Sequence, residues 1–116
     1  MNAASISGVA ELDPALRGQV SDSDTVFIVA KAVDGPRFPL AVLRRQVRDL
    51  PLRFVLDDSM GMVPDVKLSQ FAQVQVSARI SRSGNALAAA GDLESAPQPA
   101  AVGASGVTLR ISRRHP

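Results

Sequence analysis

The chain has 116 residues, about one domain, and a domain of this size buries roughly two thirds of the surface its unfolded chain exposes; with 46% hydrophobic residues but four Phe and no Trp or Tyr, its core must be aliphatic. Thirteen Lys and Arg against eleven Asp and Glu leave a net charge of +2, and 3% aromatic content gives almost no platform for stacking the bases of single-stranded nucleic acid, so no nucleic-acid partner is expected. The absence of cysteine excludes disulfides, thiolate metal sites and cysteine nucleophiles.

Ser5 to Leu12 alternates Ile6, Gly8, Ala10 and Leu12 against Ser7, Val9 and Glu11, which suits a first strand. Asp13-Pro14 breaks it, and Pro14 at a first helical position predicts about one helical turn from Ala15 to Val20. Thr25 to Val33 is rich in β-branched residues, and its continuous apolar run Val26 to Ala30 predicts a strand covered on both faces. Asp34-Gly35-Pro36 supplies a turn.

Leu40 to Leu50 fits two templates. Leu40, Leu43, Val47 and Leu50 line one side of a helix with Arg44, Arg45 and Arg48 opposite, which would suggest a membrane surface. Yet Pro39 and Pro51 close the segment on both sides, and Leu52, Phe54 and Leu56 alternate cleanly with Arg53, Val55 and Asp57, so two strands are the preferred reading. A second helical turn is expected from Val63-Pro64 through Ser69. Gln73 to Arg82 gives the best period of two in the chain, with Val74, Val76, Ala78 and Ile80 inward and Gln73, Gln75, Ser77 and Arg79 outward. Residues 83–106 are dominated by Gly, Ala, Ser and Pro and read as a long surface excursion with Val102 in a short edge strand, and Val107, Leu109 and Ile111 mark a closing strand before a frayed His115-Pro116 end. About six or seven short strands without a long helix predict an all-β fold, two packed antiparallel sheets in one β-sandwich domain spanning 1–116.

The chemistry-bearing groups are sparse. Met60-Gly61-Met62 sets two thioethers beside Asp57 and Asp58; thioethers suit Cu(I), but blue-copper sites also need a Cys and two His, so packing beneath a loop is preferred and metal at Met60 and Met62 is the weaker alternative. Asp57 and Asp58 lack anything nearby that completes an acid–base mechanism, and they suit turn capping or pairing with Arg45 or Arg53. Arg44, Arg45, Arg48 and Arg53 fall on two strands expected to be neighbours, where a shared positive face would draw an acidic partner, haem propionates or anionic lipid, or would merely guard a sheet edge. His115 is the lone imidazole, at the chain end.

Asp24–Ala32, Gly35–Arg44 and Leu50–Met62 together resemble the C-terminal periplasmic domain of the cytochrome c biogenesis family CcmI, also called CycH. Lys67–Ser69, Ala78–Ala86, Gly91–Leu93 and Val102–Val107 continue the likeness over nearly the whole chain. Each stretch is ordinary strand-and-turn sequence; their order makes the resemblance specific. It implies an Ig-like sandwich (a cupredoxin-like variant stays open) cut from a longer protein with membrane-spanning helices and helical repeats, so that any membrane contact runs through segments absent here and Met1 is an expression start. It also implies work in the periplasm, within a protein anchored in the inner membrane, where the haem ligation machinery holds apocytochrome c. The expectation is a non-enzymatic, cofactor-free protein-docking domain using Arg44, Arg45, Arg48, Arg53, Asp57, Asp58, Met60 and Met62, with haem lyase subunits, the parent chain's helical repeats and apocytochrome c as partners. The alternatives are a small copper or haem carrier using Met60 and Met62, and a structural spacer.

Overall fold

The structure is a computed structural model, and it describes residues 5–33, 40–57, 68–81 and 92–114. Eight strands run through these residues: β1 (Ser5–Leu12), β2 (Thr25–Ala32), β3 (Ala41–Gln46), β4 (Leu52–Asp57), β5 (Gln73–Ser81), β6 (Leu93–Ser95), β7 (Gln98–Ala101) and β8 (Val107–Arg114). The all-β expectation holds. The hydrogen-bonded path is one nearly closed sheet in the order β3-β2-β5-β6-β8-β1-β4, with β7 also pairing β5. Every pair is antiparallel except β1 with β8, which run parallel with Gly8 opposite Val107.

Local chemistry explains where the strands stop. The Asp13 carboxylate accepts from the Ala15 N–H at 3.0 Å and Pro14 takes the first position, so the turn expected there forms as a 3₁₀ helix over Pro14–Gln19. After β3 the Asp49 carboxylate accepts from the Gln46 N–H at 3.0 Å, which stabilises a 3₁₀ turn over Val47–Asp49. The ambiguous segment is therefore a strand followed by one turn. Val47 N–H donates to the Asp24 carbonyl at 3.0 Å and Arg48 N–H to that of Asp22 at 3.1 Å. Those bonds tie the turn to the loop before β2, and Pro51 has no N–H to give a ladder. As a result β3 and β4 form no ladder with each other among the described residues: β3 pairs with β2 and β4 with β1, and as the two ends of the path they come into contact where the nearly closed sheet meets itself.

Alternation becomes burial as the sequence predicts. Val74, Val76, Ala78 and Ile80 of β5 are buried, as are Phe54 and Leu56 of β4, and they meet Ile6, Ala10, Val26, Ile28, Ala30, Leu43, Val47, Leu109 and Ile111 in one aliphatic core. Each large side chain enclosed there contributes about 1.5–3 kcal/mol. The 83–106 segment departs from expectation at its C-terminal end. Leu93–Ser95 inserts between β5 and β8 as an internal strand with Leu93 and Ser95 buried, β7 holds Ala100 against the core, and Val102 lies just past β7. Gly103, at φ 100°, turns the chain there and donates its N–H to the Ser5 carbonyl at 2.8 Å. The expected turn at Asp34-Gly35-Pro36, the start of the turn at Val63-Pro64, and the His115 end lie outside the described residues; Leu68–Gln70 forms a 3₁₀ turn.

Candidate docking face

The register of four ladders sets one row of side chains across the outer face of the sheet. Arg44 of β3 stands opposite Phe27 of β2, Phe27 opposite Arg79 of β5, Arg79 opposite Glu94 of β6, and Glu94 opposite Arg113 of β8. Phe27 has the outward parity of its strand, yet it is only 4% exposed. The guanidinium carbons of Arg44 and Arg79 lie over its ring at 5.8 and 5.2 Å from the centroid, flanking it from the two neighbouring strands. The apolar run of β2 is thus covered on both faces, the outer cover being two arginines in place of a second layer.

The cations of the row differ in what their N–H groups meet. Arg79 Nη1 donates to Asp92 Oδ2 at 2.8 Å, with side chains 13% and 7% exposed. Arg113 reaches Glu94 Oε2 through Nη2 at 2.9 Å and Nε at 3.0 Å. Elsewhere Arg17 pairs with Asp22 at 3.1 Å and Arg110 with Asp13 at 3.7 Å. Among the described residues Arg44, Arg45, Arg48 and Arg53 have no carboxylate partner; they are all exposed, and they are the four arginines singled out from the sequence. The structure thus divides the eight described arginine side chains into two sets, one compensated and one open.

Within the open set, Arg44 rests on Phe27, while Arg45 has the opposite strand parity and donates from Nη1 to the Arg44 carbonyl at 2.8 Å. Arg48 sits on the 3₁₀ turn, one element beyond β3. Arg53 lies on β4 opposite Val9, and because β3 and β4 end opposite sides of the sheet path it is not in the Arg44 row. Asp57 closes β4 opposite Ser5 and is half-buried. Asp58, Met60 and Met62 lie outside the described residues.

Sequence reasoning missed the partners that organise the face: Phe27, Asp92, Glu94 and Arg113. The usable signal was narrow. Period-two parity already placed Arg79 outward, and Phe27 is the lone aromatic in β2, but their adjacency depends on a register that one sequence does not display.

Beside the Val47–Asp49 turn, Glu11, Leu12, Pro14, Arg17, Leu50 and Pro51 line an open groove of about 420 Å³. No helix among the described residues is long and apolar enough to cross a membrane.

A nearly closed sheet around an aliphatic core, with its distinguishing chemistry spread on the exterior, defines a small all-β domain built on one continuous sheet where two packed antiparallel sheets were expected. Residues 6–112 match the family model described as the cytochrome c-type biogenesis protein H Ig-like domain, and the chain belongs to that family. It is 49% identical over 77 residues to the cytochrome c-type biogenesis protein CycH of Pseudomonas aeruginosa, an alignment covering 66% of this chain and 19% of that protein. The chain therefore spans a small part of the curated relative's length. Among solved structures it resembles an alternative pilotin from the type II secretion system of Vibrio cholerae, with a TM-score of 0.55 and 19% identity over 94% of this chain and 96% of that one. At that identity the likeness concerns the fold alone.

Proposed function

We propose that the domain is a protein-interaction module of c-type cytochrome biogenesis that makes and breaks no covalent bond. It works in the periplasm, within a protein anchored in the inner membrane. Its partners are drawn from haem lyase subunits, the helical-repeat region of the parent chain and apocytochrome c. Family membership supports the process. The observation that carries the docking role is the division of the arginines: four are compensated by carboxylates, whereas Arg44, Arg45, Arg48 and Arg53 stay exposed without one among the described residues. Exposed, uncompensated charge steers encounter and discriminates between partners. Asp57, Asp58, Met60 and Met62 form the proposed margin of this surface.

The test is charge reversal at Arg44, Arg45, Arg48 and Arg53 in the parent protein, read as co-purification with haem lyase subunits and as the yield of c-type cytochromes. Recovery of the complex should fall roughly tenfold or more, while the same reversal at Arg17 and Arg110, which already hold carboxylates, should leave it near the starting level. Unchanged recovery and unchanged cytochrome yield in the fourfold variant would make the domain a spacer.

A further inference from the structure

Two guanidinium groups rest on the Phe27 ring, and one of them is already spent. Arg79 is enclosed and committed to Asp92 at 2.8 Å, whereas Arg44 is exposed and meets no carboxylate among the described residues. We infer that Arg44 is a preformed receptor for a carboxylate of an acidic polypeptide segment lying along β3 on the outer face, with Phe27 as its positioning residue. This deepens the docking reading and rests on it.

A guanidinium carbon 5.8 Å from the ring centroid is within reach of the attraction of the ring face for a cation, and its N–H groups stay available for a carboxylate, which they bind in pairs. That attraction favours one placement of the side chain before the ligand arrives, so less conformational freedom is lost on binding. The carboxylates nearest in the row do not compete, because Asp92 is engaged by Arg79 and Glu94 by Arg113 at 2.9 Å. Arg45 and Arg48, placed on the opposite side of β3 and on the next turn, add a long-range field without lying in the same row.

The surroundings favour a polypeptide. Val42 and Gln46 share the outward parity of Arg44 along β3, the first half-buried and the second exposed, so an extended chain would meet apolar, cationic and amide groups in turn. Anionic membranes are recognised by dense clusters of about 4–8 cations, and the outer side of β3 presents only Arg44. Nucleic-acid single strands stack on open aromatic faces, and Phe27 is 96% covered by its neighbours.

The experiment titrates the 116-residue chain into a fluorescent Glu-rich peptide, followed by anisotropy at low salt and at about 150 mM salt, with phosphatidylglycerol-containing vesicles as a parallel arm. Saturable peptide binding is expected. Arg44→Ala should weaken it roughly tenfold, Arg44→Lys nearly as much despite keeping the charge, and Arg110→Ala by less than about twofold. Phe27→Leu should weaken it in the same direction as Arg44→Lys. The inference is overturned by an Arg44→Lys protein that binds like the wild type, by equal losses at Arg44 and Arg110, by vesicle binding in place of peptide binding, or by no saturable peptide binding at all. If peptide binding fails while the fourfold arginine variant still loses its protein complex, the docking role stands and only this occupant falls.

Discussion

Replacing Asp92 by Asn tests whether the outer face is held by an enclosed ion pair. The Arg79–Asp92 contact is 2.8 Å long and its side chains are 13% and 7% exposed, whereas those of the Arg17–Asp22 pair, at 3.1 Å, are 54% and 70% exposed. Removing one partner of a buried pair strands the other charge and costs about 3–5 kcal/mol, whereas an exposed pair is worth about 0.2–1 kcal/mol. Arg79, 13% exposed and over the Phe27 ring, is not left bare by the change, so the lower end, about 3 kcal/mol, is expected for Asp92→Asn. With a urea dependence of about 2 kcal/mol per molar, the midpoint falls by roughly 1.5 M. A double-mutant cycle on Arg79→Met and Asp92→Asn, measured by urea unfolding, isolates the pair from the loss of stacking. The coupling should be about 2 kcal/mol or more, against about 1 kcal/mol or less for the same cycle on Arg17 and Asp22. Equal couplings in the two cycles would refute the reasoning, since burial would then have made no difference to the pair.

Gly8→Ala should destabilise by about 3 kcal/mol or more, because a Cβ there would overlap the Val107 carbonyl oxygen and stand 2.7 Å from its carbon and 2.9 Å from the Val107 Cβ, forcing β1 and β8 apart; Gly18→Ala, with nothing within 4 Å, should cost nothing, and thermal melts separate the two. Ser95→Ala removes the buried oxygen that accepts the Ala78 N–H at 2.9 Å, and should cost about 1–3 kcal/mol and speed exchange of that one amide.

The parts of the fold that were legible in the sequence are those whose cause is local. The alternation in Gln73 to Ile80 became the inside and outside of β5 residue by residue, Pro14 placed a helical turn, and the apolar run of β2 marked a strand covered on both faces. What covers it was not legible, because Arg44 and Arg79 reach Phe27 only through pairings between strands far apart in sequence. Leu93–Ser95 was hidden for a related reason. Three residues are too few to show a period, and Ser95 is buried only because its hydroxyl accepts the Ala78 N–H between the β6 and β7 pairings of β5. β3 and β4 are in contact but form no ladder, because short connections usually join paired strands and here hydrogen bonds from Val47 and Arg48 hold the connection to the loop before β2. The candidate arginines were legible as cations; their lack of carboxylate partners was a property of the fold.

Edge protection and ligand recognition both put charge on an end strand such as β3, and they make different demands on it. A guard needs a solvated charge that makes edge-to-edge pairing costly, and lysine performs that role at least as well as arginine. A carboxylate receptor needs a flat fork held in one orientation, which a flexible ammonium does not supply. Arg53, exposed on β4 at the other end of the path and over no ring among the described residues, meets the first demand alone. Arg44, fixed over Phe27 beside a second guanidinium whose own carboxylate is already in place, meets both. Lysine at 44 should therefore leave the domain as free of aggregation as before while its hold on acidic chains weakens by nearly tenfold, and lysine at 53 should change neither.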